Sequence, residues 1–194
     1  MRLSIAICLL AGWASTTAAR AADSLPVVDW LADLNDRETL SVLRLSPAEQ
    51  KQILNQIEMT SFDTPDAWWQ ELRVRRISLG TTEAIVVRGT NLLCGATGNC
   101  ETWVFRRANR QWLNMFIGEA PVVSSIGLVV DQTKGIRNIV LAAHVSASSA
   151  TWTEYAFGGA FYKQVHCFDI NSETNRATEV PCQRSPDREG RVVP

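Results

Sequence analysis

The chain has 194 residues, of which 46% are hydrophobic and 20% charged, and its formal net charge is −1. That length suits one domain and the composition excludes a wholly disordered chain. The near-neutral charge excludes a broad electrostatic partnership with nucleic acid or an anionic membrane.

The chain opens on an export signal. Arg2 supplies a positive start, Leu3 to Trp13 is an apolar run, and Ala19-Arg20-Ala21 is a small-x-small cleavage site. The run is too short to span a bilayer as a helix, and Trp13 follows Leu10-Ala11-Gly12 where a lipobox would need cysteine. Residues 1–21 are therefore expected to be a signal peptide whose removal leaves no membrane span, a retained anchor being the alternative. The product is expected in the periplasm or outside the cell.

Cleavage removes Cys8 and leaves Cys94, Cys100, Cys167 and Cys182. An even count in an exported chain reads as two disulfides. Close spacing favours Cys94–Cys100 and Cys167–Cys182, although four cysteines allow three connectivities. Zinc, with His166 beside Cys167, is the weaker reading because the compartment is oxidising and no C-x2-C is present.

Residues 22–182 are expected to form a single α+β domain, with helices in 25–72 and strands in 74–168. Asp23 or Ser24 can cap a short helix whose face carries Val27, Val28, Leu31 and Leu34. Ser46-Pro47-Ala48-Glu49 is a capping box with proline at the first helical position, opening a helix with the stripe Ile53, Leu54 and Ile57. Thr64-Pro65-Asp66 starts a third helix carrying Trp68 and Trp69.

From Val74 the period changes to two. The expected strands are Val74–Leu79, Ala84–Arg88, Thr102–Arg106, Gln111–Ile117, Val122–Val130, Asn138–His144, Trp152–Phe157 and Phe161–Phe168. Ala108-Asn109-Arg110 and Gly158-Gly159 read as hairpin turns. Ile77-Ser78-Leu79 matches Ile126-Gly127-Leu128, Ile85-Val86-Val87 matches Ile139-Val140-Leu141, and Trp103-x-Phe105 matches Tyr155-x-Phe157. This reads either as an internal duplication or as two meanders that look alike, as meanders do. The expected architecture is N-terminal helices followed by an antiparallel sheet of about eight strands in two four-strand meanders. Residues 183–194 lack periodicity and are expected to be a disordered tail.

The run Cys94-Gly-Ala-Thr-Gly-Asn-Cys100, Trp103-Val104-Phe105, Gly135-Ile136-Arg137-Asn138-Ile139 and Tyr155-Ala156-Phe157 resembles a pattern in uncharacterised secreted bacterial proteins, a group whose likeness implies export and fold but no activity. The short Cys-closed loop is also similar in shape to that of the Ivy-type periplasmic lysozyme inhibitors, which insert such a loop into the enzyme's cleft. In that family the loop carries a His-Asp pair. Here it encloses Gly95, Ala96, Thr97, Gly98 and Asn99, so the likeness is one of loop shape and compartment.

Chemistry offers few handles. Cysteines paired as disulfides supply no thiolate, there is no Gly-x-Ser-x-Gly elbow, and His144 and His166 are the only histidines. No catalytic residue, cofactor or metal site is expected. Asp131-Gln-Thr-Lys-Gly135 is a plain turn. Trp103, Trp112 and Trp152 read as core residues, and Trp68 or Trp69 as the better candidates for an exposed anchor. Arg73, Arg75 and Arg76, with Arg106, Arg107 and Arg110, read as an anion-binding face or as a strand edge guarded by charge.

The expectation is a soluble, non-catalytic envelope protein that binds a protein partner, with no nucleic acid and no membrane. Loop 94–100 is the presented element, through Gly95, Ala96, Thr97, Gly98 and Asn99, beside Trp68 and Trp69. The plain alternative for the loop is a clip between strands. A carboxylate-dependent hydrolase of envelope polysaccharide, using acids such as Glu101, Glu119, Asp131 and Glu154, is the rival function, together with a lysozyme-inhibitor-like protein.

Overall fold

The computed structural model describes residues 25–31, 45–57, 72–89, 93–116 and 120–182. The strands are β1 (Val28–Trp30), β2 (Leu72–Ser78), β3 (Glu83–Gly89), β4 (Cys100–Ala108), β5 (Gln111–Asn114), β6 (Val122–Val123), β7 (Ser125–Thr133), β8 (Ile136–His144), β9 (Ser149–Phe157), β10 (Tyr162–Asn171) and β11 (Arg176–Val180); helix α1 is Pro47–Leu54. All pairings are antiparallel. A six-stranded sheet runs β1-β7-β8-β9-β10-β11, and a five-stranded sheet runs β2-β3-β4-β5 with β6 beside β4.

The expected helices followed by one sheet of about eight strands are thus corrected: the described residues are mostly strand, in two sheets, with one helix among them. The reason is visible in β3, where neighbours on both faces are buried: Ala84 and Val86 on one, Ile85 and Val87 on the other. A sheet apolar on both faces needs a cover on each. Ala84 and Val86 pack with Val104, Ile126, Leu128, Ile139, Leu141 and Phe157, which makes the six-stranded sheet one cover. Ile85 and Val87 pack with Trp103, Phe105, Trp112 and Ile53, which makes α1 the other. The order of layers is helix, five-stranded sheet, six-stranded sheet.

The residues expected to begin a first helix form β1 instead. Val28 pairs with Val129 and Trp30 with Gly127 at the edge of the six-stranded sheet. The long strand expected over Val122–Val130 is two strands in different sheets. The chain crosses between them at Ser124, whose N–H and hydroxyl both donate to the Ala142 carbonyl, at 2.7 and 3.0 Å. β11 lies beyond the last expected strand, Phe161–Phe168. The signal segment, the Thr64-Pro65-Asp66 helix with Trp68 and Trp69, and the tail 183–194 lie outside the described residues.

The capping box forms as read: Ser46 Oγ accepts from the Glu49 N–H, and Glu49 Oε2 accepts from the Ser46 N–H at 2.9 Å. The helix seats on the edge of β5 through two glutamines. Gln52 Oε1 accepts from the Trp112 N–H (3.1 Å). Gln56 accepts from the Asn114 N–H (2.9 Å) and donates to the Trp112 carbonyl (2.7 Å), so α1 completes the edge strand as a further strand would.

The two sheets are also joined by hydrogen bonds at both ends of β8. At its start, Arg137 N–H donates to the Leu79 carbonyl (3.2 Å), and Gly80 bridges Ile136. Gly80 has φ +85°, and a Cβ there would collide with the Gly135 carbonyl. At its end, β8 meets the Cys94–Cys100 loop.

Candidate functional site

Cys94 and Cys100 are disulfide-bonded and face each other as a single antiparallel bridge. Inside them the backbone turns tightly: Gly95 N–H donates to Asn99 carbonyl (2.8 Å) and Gly98 N–H to Gly95 carbonyl (3.0 Å). Gly98 reaches φ +76°, a conformation that glycine adopts without strain. Gly95, Ala96, Thr97 and Gly98 are exposed.

Asn99 is engaged differently. Its Nδ2 donates to the His144 carbonyl (2.7 Å) and its Oδ1 accepts from the His144 N–H (2.9 Å), so the amide pairs with backbone as a strand residue does. Arg88 Nη2 adds a bond to the Gly98 carbonyl (3.1 Å). The loop therefore ties the five-stranded sheet to the end of β8 and also holds a four-residue tip in solvent. His144 is an exposed strand-end residue whose backbone, not its ring, carries this contact.

Cys167 and Cys182 form the second disulfide, fastening the segment after β11 to β10. Two disulfides suit an oxidising, extracytoplasmic environment. Among the described residues no helix is long and apolar enough to cross a membrane, and no cluster of three His, Cys, Asp or Glu is placed to hold a metal.

A second cluster lies on the outer face of the six-stranded sheet, turned away from the other sheet. Register places Trp30, Gly127, Val140, Glu154 and His166 in one row across β1, β7, β8, β9 and β10. Ala142, Trp152, Phe168 and Glu179 form the next row. Trp30 lies over Gly127, where a Cβ would meet its ring at 3.1 Å. It meets Trp152 edge to face at 5.0 Å. The space for that indole exists because residue 127 has no side chain.

Glu154 is 7% exposed and is the one buried charged residue among those described. Asn138 Nδ2 donates to its Oε1 (2.8 Å), and Asn138 Oδ1 accepts in turn from Thr133 (2.9 Å). No cation among the described residues pairs with it. His166, directly opposite, turns Nδ1 to Glu179 at 3.0 Å and stacks on Phe168. Of the other acids considered, Glu101 is on β4 in the five-stranded sheet, Asp131 is exposed near the end of β7, and Glu119 lies outside the described residues.

Sequence reading named Glu154, Trp152 and His166 singly and did not bring them together. Trp152, expected in the core, is half-buried on this face, whereas Trp103 and Trp112 are core as expected. The usable signal was the i, i+2 spacing of Trp152-x-Glu154 and His166-x-Phe168, which puts each pair on one face of its strand. Of the arginines, Arg76 pairs with Glu83, and Arg107 pairs with Glu49 and lies over the Trp112 ring. Compared with protein-family models, with curated proteins and with solved structures, the chain matches none.

Proposed function

We propose that this is an exported, non-catalytic cell-envelope protein, periplasmic or secreted, that binds a protein partner through the tip of the Cys94–Cys100 loop. The observation that carries the reading is the division of labour in seven residues. The disulfide, the Asn99–His144 pair and Arg88 fix the base, while Gly95, Ala96, Thr97 and Gly98 stand in solvent. A clip alone would need the base and not the four-residue tip. A loop ordered before contact lowers the conformational cost of association. The signal segment and the disulfides support the compartment.

The test is affinity capture from native envelope extract with three mature baits: wild type, Thr97→Arg at the tip, and Arg110→Asn at the far end of β4. The proposal expects one partner retained by wild type and Arg110→Asn and lost by Thr97→Arg. Equal capture by all three overturns the loop assignment, and no specific partner with any bait overturns the binding reading.

A further inference from the structure

Burying a carboxylate without a cation is costly, and one neutral amide donor offsets only part of that cost. Glu154 is in this position, 7% exposed, with Asn138 as its donor and no cation beside it among the described residues. Its neighbours on the outer face are Trp152 two residues before it, His166 opposite and Phe168 diagonal to it, while Trp30 reaches Trp152 from β1. A carboxylate on a sheet face that also carries Trp152, Phe168 and Trp30 is suited to a cation, which can gain both the ion pair and the attraction of a ring face. A planar guanidinium suits it better than a compact ammonium. The face is an open sheet rather than a closed cage, a guanidinium can stack flat on an indole, and its fork can address Glu154 while Glu179 stands in the next row.

The place is also continuous with the proposed binding loop. Asn99 is bonded to His144, which pairs with Ala150, and Trp152 is two residues farther along β9, about 7 Å at the rise of a strand. We infer that the outer face around Glu154, Trp152 and Trp30 is a binding site for an arginine side chain of the protein partner, with Glu154 as its counter-charge. This deepens the partner-binding reading and rests on it. Its own test needs no partner, so the two can fail separately.

The experiment titrates the mature, disulfide-bonded protein with N-acetyl-arginine methylamide and, separately, with tetramethylammonium, following the indole N–H signals of Trp30 and Trp152 by NMR. The expected result is saturable shifts of both indoles with the arginine amide. Affinity should fall about tenfold or more in Glu154→Gln, which keeps the shape and the Asn138 bond, and fall also in Trp152→Leu. Circular dichroism confirms that each variant is folded. Absence of saturable binding overturns the site, and equal binding by Glu154→Gln overturns the role of the carboxylate. Tetramethylammonium binding as tightly as the arginine amide overturns the guanidinium assignment.

Discussion

Asn99 illustrates how a residue's role is set by a partner far away in sequence. As a loop asparagine it reads as a hydrogen-bonding group open to a partner, yet its amide is satisfied on both sides by His144, 45 residues on. Removing it leaves a strand-end N–H and C=O without their protein partners. Asn99→Ala should therefore destabilise the protein by about 1–3 kcal/mol. Thr97→Ala, on the exposed tip, should change stability by less than about 0.5 kcal/mol. Urea unfolding midpoints of the two variants check the contrast.

Glu49 carries a second residue-scale prediction. Its carboxylate accepts from the Ser46 backbone and hydroxyl and faces Arg107 at 3.0 Å, which together hold its pKa below the usual carboxylate value. A folded pKa below the unfolded one gives stability that is complete above the unfolded value and is lost as pH falls through the folded one. Wild type should thus exceed Glu49→Gln in stability at neutral pH, with the difference shrinking through the acidic range. Unfolding at a series of pH values measures it.

At the scale of elements, what was legible was what local chemistry fixes. The capping box marked the start of α1, and period-two alternation placed β2 to β5 and β8 to β10 to within a few residues. The two-residue turn at Asn109 and Arg110 follows from the need for positive φ at both positions, at 50° and 63°. Gly158-Gly159, by contrast, begins a longer connection, closed by Gly158 N–H to the Phe161 carbonyl at 2.8 Å. Val28–Trp30 was misread because three residues cannot distinguish a helical stripe from an edge strand. Its pairing depends on Gly127, almost a hundred positions away. Gly127→Val would place a branched side chain into Val28 and the Trp30 ring. It should release β1 while the sheets persist, seen as loss of hydrogen-exchange protection at Leu31, whose N–H donates to the Ile126 carbonyl.

The seating of α1 was equally hidden, because Gln52 and Gln56 read as solvent-facing polar positions. Gln56→Leu leaves the Asn114 N–H and the Trp112 carbonyl without their partner and should cost about 2 kcal/mol. Faster amide exchange at Asn114 should accompany the loss.

At the scale of the whole molecule, the sequence did not reveal the division into two sheets, since strand positions say nothing of which strands pair. The clue that separated them was burial on both faces of β3 and β8, a property of runs such as Ala84–Val87 and Ile139–Ala142. The outer-face cluster was hidden for the same reason, since its members come from β1, β7, β8, β9, β10 and β11. The disulfides fasten this assembly at two places. By loop-closure entropy, the separations of 6 and 15 residues correspond to about 2 and about 3 kcal/mol.

Binding through the tip of loop 94–100 requires that tip to be held ready before any partner arrives, and backbone amide relaxation of the free, mature protein measures this. Order parameters at Ala96, Thr97 and Gly98 should lie close to those of the flanking strands, about 0.85, and fall when Asn99 is replaced by alanine. Values below about 0.6 in the wild type would mean a mobile tip, and the rigid, presented loop would be contradicted.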